Sequence, residues 1–445
     1  MKLKVDFTET IRPMGCVGTN NGPIGLYGDH TEAFKEMGVK FVRFHETHLP
    51  TCKCVEVPFV FRDFSADEND PANYYFAETD AVIKGAYDAG LEICYRIGMG
   101  SEVPKETQIF TFHSTDLKDY EKYARIAEHI VAHYNDGWAN GFHFGVKYWE
   151  IMNESDVIAY WPMKKKLYVD FYSILANHLK KRFPDILIGP CFANPVRVMP
   201  NPVGKGTIPN FMEALMQFHE FARRYRLGEY PVDFFPIHTH TKELPELRDK
   251  LNRIFPFLRD YGLDKTELIT TEFNGISIQR CPVHHIRAFF QMETMHSAVN
   301  VFSILIEFQR HGITKMAYYD ADDRSHFCGL YNYDGTKRNH FYSLKGFTML
   351  GQGGNEVYCD NGKSDNTAAM ASYNGKDAYI AFTNLEAEPV DAEFEIEGLG
   401  KRKYEVLLFD ETHRWDPVRR GTYSGRNVKL TLQPDTAAIL HFTKR

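Results

Sequence analysis

The chain has no C-x-x-C pair, no surplus of basic residues and no long apolar run, and each absence removes a class of function. Its eight cysteines are scattered at 16, 52, 54, 94, 191, 281, 328 and 359, and Cys52-Lys53-Cys54 is tighter than a zinc knuckle. Free, mostly buried thiols are expected. A net charge of −7 leaves no basic footprint for nucleic acid. No stretch reaches the ~18 apolar residues of a spanning helix, and the start, MKLKVDFTET, lacks the roughly 7–15-residue apolar core of a signal peptide. The expectation is a cytoplasmic protein with no membrane and no nucleic-acid partner. Internal repeats and low-complexity linkers are also missing. Oligomeric state stays open, a homo-oligomer included.

What is present is a large apolar share, 43% of 445 residues, enough for a barrel of about 250 residues with elaborations and a smaller partner. Strand and helix signals alternate eight times. The strand signals are Cys16–Thr19, Lys40–His45, Leu91–Ile97, Tyr148–Met152, Ile186–Gly189, Val232–His238, Glu267–Glu272 and Lys315–Asp320. Between them lie helical patterns, including Asp116–Tyr134, Lys165–Phe183 and one long run, Pro282–His311. Eight such units predict a closed α/β barrel of the (β/α)8 type over residues 13–352. Past Gly353-Gly354 the pattern turns to alternating strands with a hairpin signal at Asn374-Gly375, which predicts an all-β module, a β-sandwich, over 353–445. Residues 1–12 hold a strand-like Leu3–Phe7 that could join it.

The stretch organising the chemistry is Lys147–Asp156, KYWEIMNESD. Its apolar strand stops abruptly at Asn153-Glu154, and the carboxyl end of a barrel strand is where active sites sit. Glu150 lies four residues upstream, ~13 Å deeper at ~3.3 Å per residue, and reads as a paired structural group inside the barrel. Period-two spacing puts Arg43 with His45, His238 with His240, and Thr270 with Glu272 on shared faces. Glu154 and Glu272 would then face each other across the mouth. Two carboxylates flanking a cleft are what glycosidic cleavage requires: one donates a proton to the leaving oxygen, the other attacks or activates water. An arginine beneath the nucleophile keeps it ionised.

These residues carry a resemblance. Asn153-Glu154 after the fourth strand and Glu272 ending the seventh resemble the retaining glycosidases built on (β/α)8 barrels, most closely glycoside hydrolase family 39, the family of β-xylosidases and α-L-iduronidases. The supporting stretches are VRFHETH (42–48), YWEIMNES (148–155), PIHTH (236–240), TTEFNG (270–275), CPVHHIRAFF (281–290) and GLYNYDGTKRNHFYSLKGF (329–347). The resemblance implies an exo-acting, β-xylosidase-like enzyme on oligosaccharides or glycosides, with another retaining specificity on the same site (arabinosidase, iduronidase-like or endo-acting) as the alternative, and with no cofactor and no metal. It implies Glu154 as acid/base, Glu272 as nucleophile, Asn153 on the sugar 2-hydroxyl, Arg43 orienting Glu272, and His45 and His238 on sugar hydroxyls. His240 stands where the family has a tyrosine, Tyr319 where it has a tryptophan, and Asn274 closes a Glu-Phe-Asn in place of Glu-Trp-Asn. Met152 and Ser155 replace the family's Trp and Pro around Asn-Glu. All of these changes fall on the sugar-facing shell.

Competing readings remain. His45, His48, His238 and His240 could form a metal set for a barrel metallohydrolase, although His45-Glu46-Thr47-His48 is one residue short of His-Glu-x-x-His. A glycan-binding protein without turnover is a third reading. Tyr160 and Trp161, just after Glu154, are candidate sugar platforms. Tyr74, Tyr75, Phe76, Phe110 and Phe112 read better as core, and His284-His285 marks a helix start without an assigned role.

Overall fold

The computed structural model describes residues 1–49, 52–100, 112–157, 160–193, 208–276, 282–323, 325, 327–332, 334–362, 364–425 and 427–444. Phe110 lies outside them. Eight short parallel strands form the barrel: β1 (Cys16–Asn20), β2 (Phe41–Phe44), β3 (Glu92–Ile97), β4 (Tyr148–Ile151), β5 (Leu187–Pro190), β6 (Phe234–His240), β7 (Glu267–Asn274) and β8 (Lys315–Tyr318). Each pairs with its sequence neighbour except β5 with β6, and β8 returns to β1. Between β5 and β6 the ring is closed by Asp233, whose N–H donates to the Ile188 carbonyl at 2.8 Å while its carboxylate accepts from Ile188 N–H at 2.9 Å.

Inward-facing residues form two contrasting layers. At the amino end Phe41, Cys94, Tyr148, Phe234, Ile269 and Ala317 pack as an apolar plug. Two residues on, the same faces of β2, β3 and β4 present Arg43, Arg96 and Glu150, and four residues beyond Phe234 β6 presents His238, all buried. Two residues per pleat repeat place them there. Alternate residues such as Val42, Phe44, Trp149 and Ile151 point outward into the main core beneath the helices. The strand β7 departs from the simple alternation. Its pairing shifts register between Ile269 and Glu272 on one side and between Thr270 and Phe273 on the other, as a bulge does. Thr271 and Glu272 therefore both reach the interior, whereas the expected inward partner of Glu272, Thr270, donates to the Glu272 carbonyl at 3.3 Å.

The long run at 282–311 is two helices, Pro282–Met292 and Met295–Arg310, because Thr294 accepts from Ser297 N–H at 3.2 Å and caps a new start. The other helices match their expected places within a few residues. Beyond the barrel, nine strands run in one hydrogen-bonded order, with Lys2–Pro13 antiparallel to Asn355–Cys359 and parallel to Val390–Glu397. The sheet folds over an apolar core: Phe382 meets Phe394 at 6.0 Å, and Tyr423 near one end donates to the Ile396 carbonyl near the other at 3.0 Å. Against the barrel helices, Trp415 packs on Phe302 at 5.0 Å and donates to the Tyr342 carbonyl at 2.7 Å. Cys94, Cys191, Cys328 and Cys359 are free thiols and buried, Cys54 is buried, and Cys16 is a free thiol and partly exposed. Among the described residues, no helix is long and apolar enough to cross a membrane.

Candidate active site

Arg43 is the hub. Fully buried on β2, its fork reaches four oxygen acceptors and the Cys191 sulfur: Nε and Nη2 donate to Glu150 Oε2 at 2.8 and 2.5 Å, and Nη2 reaches Asn153 Oδ1 at 2.7 Å and Cys191 Sγ at 3.8 Å. Its Nη1 reaches Asn20 Oδ1 at 3.0 Å and Glu272 Oε2 at 3.1 Å. A planar guanidinium suits such fixed geometry, and a lysine could not replace it. Burial works against its charge, but Glu150, Cys191 and Glu272 more than offset this and hold it above its ordinary value. Glu150 is sealed from solvent, with Thr271 donating to its second oxygen at 2.7 Å, so it is a paired interior group.

Glu272 sits at the rim of β7 with 9% of its side chain exposed. Burial alone would raise its pKa. His238, His240 and Arg43, in that order of effect, override burial and hold it at about 2. His240 Nε2 lies 2.9 Å from Glu272 Oε1. The arginine expected to keep Glu272 ionised does so with two histidines that contribute more. Glu154, 17% exposed, extends from the end of β4. Around it the backbone is strained, with positive φ at both Met152 (65°) and Glu154 (38°), a conformation that L-residues hold only when their surroundings impose it. Cys191 supplies part of that constraint, its sulfur accepting from Glu154 N–H at 3.3 Å.

His238 stands between the two glutamates. Its Nδ1 is 3.2 Å from Glu154 Oε1 and 3.8 Å from Glu272 Oε2, while Nε2 meets Thr271 Oγ1 at 3.0 Å and Cys191 Sγ at 3.4 Å. Burial would drive its pKa down; Cys191, Glu272 and Glu154 around it reverse this and hold it well above the usual histidine value. The facing oxygens of Glu154 and Glu272 and a His238 nitrogen all lie within 4.8 Å of one another. Glu150, Cys191 and His238 form a second such group, and the histidines 45, 48 and 240 belong to neither. Arg43 already places a full positive charge against both groups, which opposes a divalent ion there.

The remaining expected residues divide. Asn153 is buried, and its Nδ2 finds no hydrogen-bond partner among the described residues. The Tyr319 ring lies 6.5 Å from His45 and 6.0 Å from His240, edge-on to the latter. Tyr160 is partly exposed, 6.3 Å from the His45 ring. Asn274 is fully buried, and its Nδ2 donates to the Tyr319 carbonyl. Trp161 is not a platform: it is fully buried against Tyr168 and Phe171, the outer helix having a hydrophobic slot for it. Tyr74, Phe76 and Phe112 are core, and Tyr75 is exposed. His48 bonds Asp322 at 3.2 Å. Sequence reasoning missed Cys191, Thr271, and the Arg96–Glu56 pair. Arg96 carried a usable signal, lying two residues after the inward Cys94 as Arg43 does after Phe41.

Searched by sequence, the chain matches no protein-family model and no curated protein. Its fold is similar to that of several solved structures. A glucosidase from Croceicoccus marinus superposes with a TM-score of 0.74 at 20% identity, covering 100% of this chain and 99% of that one. A monomeric beta-xylosidase from Caulobacter crescentus CB15 gives 0.69 at 14% identity, covering 99% of each chain. An alpha-L-arabinofuranosidase from Thermotoga maritima gives 0.67 at 14%, covering 100% of both. At these identities the likeness establishes the architecture: a (β/α)8 barrel followed by a β module along the full length of the chain.

Proposed function

We propose that this protein is a retaining glycoside hydrolase with Glu154 as acid/base and Glu272 as nucleophile. The observation that carries the reading is the meeting of those two carboxylates at the barrel mouth, their nearest oxygens within 4.8 Å. Retaining glycosidases hold their carboxyl groups about 5–5.5 Å apart, and inverting ones keep roughly 6.5–9.5 Å to admit a water. The unequal environments fit unequal roles. Glu272, at about 2, is ionised throughout the working range and can attack an anomeric carbon.

In the first step Glu154 gives its proton to the glycosidic oxygen while Glu272 bonds to the anomeric carbon, and the leaving group departs as an alcohol. In the second, Glu154 takes a proton from water, whose oxygen replaces Glu272 on the sugar. His238 Nδ1, 3.2 Å from Glu154 Oε1, holds that carboxyl in position through both steps. Asn153 Nδ2, without a partner among the described residues, is the donor for the sugar 2-hydroxyl, a contact that strengthens in the transition state. Tyr319, His240 and Tyr160 complete the sugar-facing wall. The specific form of the proposal, an exo-acting enzyme on β-xylosides or related terminal sugars, rests on the resemblance carried by the sequence stretches around Asn153-Glu154 and Glu272.

A panel of nitrophenyl xyloside, arabinoside, glucoside, galactoside and fucoside tests the reading. At least one should be hydrolysed, with E272Q losing about 10³-fold or more in kcat. Turnover that survives E272Q would reject the assignment.

A further inference from the structure

The start of the helix Lys166–Arg182 grips the segment around Glu154 at both ends, through two residues three apart on one face. Tyr168 is fully buried, and its hydroxyl donates to the Ile151 carbonyl at 3.0 Å while accepting from Cys191 N–H at 3.2 Å. Lys165, 6% exposed, directs its ammonium to the other end: Nζ donates to the Ser155 carbonyl at 3.1 Å and to the Trp161 carbonyl at 3.0 Å. Trp161 is packed beneath this helix against Tyr168 and Phe171, so its carbonyl is a fixed post. Asn153 and Glu154 lie between the two held carbonyls.

The held segment is one that would otherwise relax. Met152 and Glu154 keep positive φ of 65° and 38°, which persist only where several contacts impose them. Met152 N–H donates to the Ile97 carbonyl at 2.8 Å, and Glu154 N–H to the Cys191 sulfur at 3.3 Å. Ser155 donates from N–H and Oγ to the Cys191 carbonyl at 3.0 and 2.9 Å. Gln217, on the helix Ile208–Arg226, adds a longer bond of 3.4 Å to the Ser155 carbonyl. Lys165 is the one charged donor in this set, and a charge-assisted bond is roughly twice as strong as a neutral one. Its placement is costly: burial lowers its pKa to about 8, with Asp156 and Glu213 offsetting part of the effect. A methionine would fill the same space without desolvating a charge. What the lysine adds is its hold on Ser155.

Resting on the glycosidase reading, we infer that Lys165 is the positioning residue for Glu154, holding the carbonyl that follows the acid/base while Tyr168 holds the one before Met152, so that the carboxyl stays aimed at the leaving-group oxygen. Lys165 acts through the Ser155 peptide and not on the substrate. Without its ammonium, Glu154 can leave its left-handed conformation, and proton delivery falters. Glu272, held by Arg43 and His240 from other strands, still attacks. Loss of Lys165 therefore weakens acid/base catalysis selectively.

The test compares kcat/KM of wild type, K165M, Y168F and E154A on the 2,4-dinitrophenyl, 4-nitrophenyl and phenyl glycosides of the sugar that the wild type accepts. General acid catalysis contributes about 10²- to 10⁴-fold where the leaving group needs a proton. K165M should lose about 10-fold or more on the phenyl glycoside, part of that contribution, and stay close to wild type on the dinitrophenyl glycoside. Its dependence on leaving-group acidity thus shifts toward that of E154A. Azide should raise the kcat of K165M on the dinitrophenyl glycoside, where release of the glycosyl-enzyme is slow without a well-placed base, and leave wild type unchanged. Y168F should show the same signature and carries the test if K165M does not fold. A merely structural lysine would lower all three substrates by one factor. That result, or a wild-type leaving-group dependence in the folded variants, would overturn the inference alone. A wild-type protein that hydrolyses no glycoside, or an E154A with wild-type leaving-group dependence, would remove the reading and the inference together.

Discussion

Arg43 joins the interior carboxylate of Glu150 to that of Glu272, the proposed nucleophile, and substituting it should separate the two roles. In R43M, Glu150 remains fully buried, with Thr271 its one remaining donor among the described residues. Breaking a buried pair from one side costs about 3–5 kcal/mol, because the surviving charge has no partner. For 445 residues at ~2.1 cal/mol/K each, that is a fall of about 3–5 °C in the thermal midpoint if the chain unfolds cooperatively. Adding E150Q removes the stranded charge and should recover most of that fall. Activity should not return with it, since Asn153 and Glu272 still lack the guanidinium that holds them. Differential scanning calorimetry and glycoside hydrolysis on wild type, R43M and R43M/E150Q supply the comparison. An R43M midpoint equal to wild type would refute the claim that Glu150 depends on Arg43. Recovery of kcat together with stability would show that Arg43 acts only through the fold.

Acid sensitivity follows from two buried groups with depressed values. Glu272 falls from 4.5 unfolded to about 2 folded, so it stabilises the fold above pH 4.5 and loses that contribution as pH drops toward 2. At ~1.4 kcal/mol per pH unit this is worth about 3 kcal/mol at most, and E272Q should flatten urea-measured stability across that window. His340, sealed from solvent between Ser297 and Tyr318, is lowered by burial and by Arg338 to about 3. The unfolded chain then takes up its proton first, so stability should begin to fall below pH 6.5, and H340Q should delay that onset. Dialysis against EDTA should leave hydrolysis unchanged; loss of activity restored by zinc would favour the metal reading.

The architecture was legible because strand and helix periodicities differ, and eight alternations leave few topologies. Two strands of the β module, Asn355–Cys359 and Arg414–Tyr423, were not. The second is an edge strand with Pro417 and a run of exposed residues, so it lacks the one-sided burial that produces alternation. In the site, the two glutamates and Arg43 could be placed by strand ends and period-two spacing. The bulge in β7 could not, and it turns Thr271 inward in place of Thr270. Trp161 shows the limit of proximity in sequence: a residue seven after Glu154 lies near the site in the chain and under the helix in space. The roles of Cys191 and Glu56 depend on contacts 37 and 40 residues away, which no local pattern encodes.

The assignment of roles to Glu154 and Glu272 is tested most directly by the anomer of the azide product. With a β-nitrophenyl glycoside, E154A should still form the glycosyl-enzyme, because nitrophenolate leaves without a proton, and azide should release it as the β-azide. E272G cannot form that intermediate, so azide should enter from the opposite face and yield the α-azide. The same anomer from both variants, or identical responses of both to leaving-group acidity, would contradict the double-displacement account.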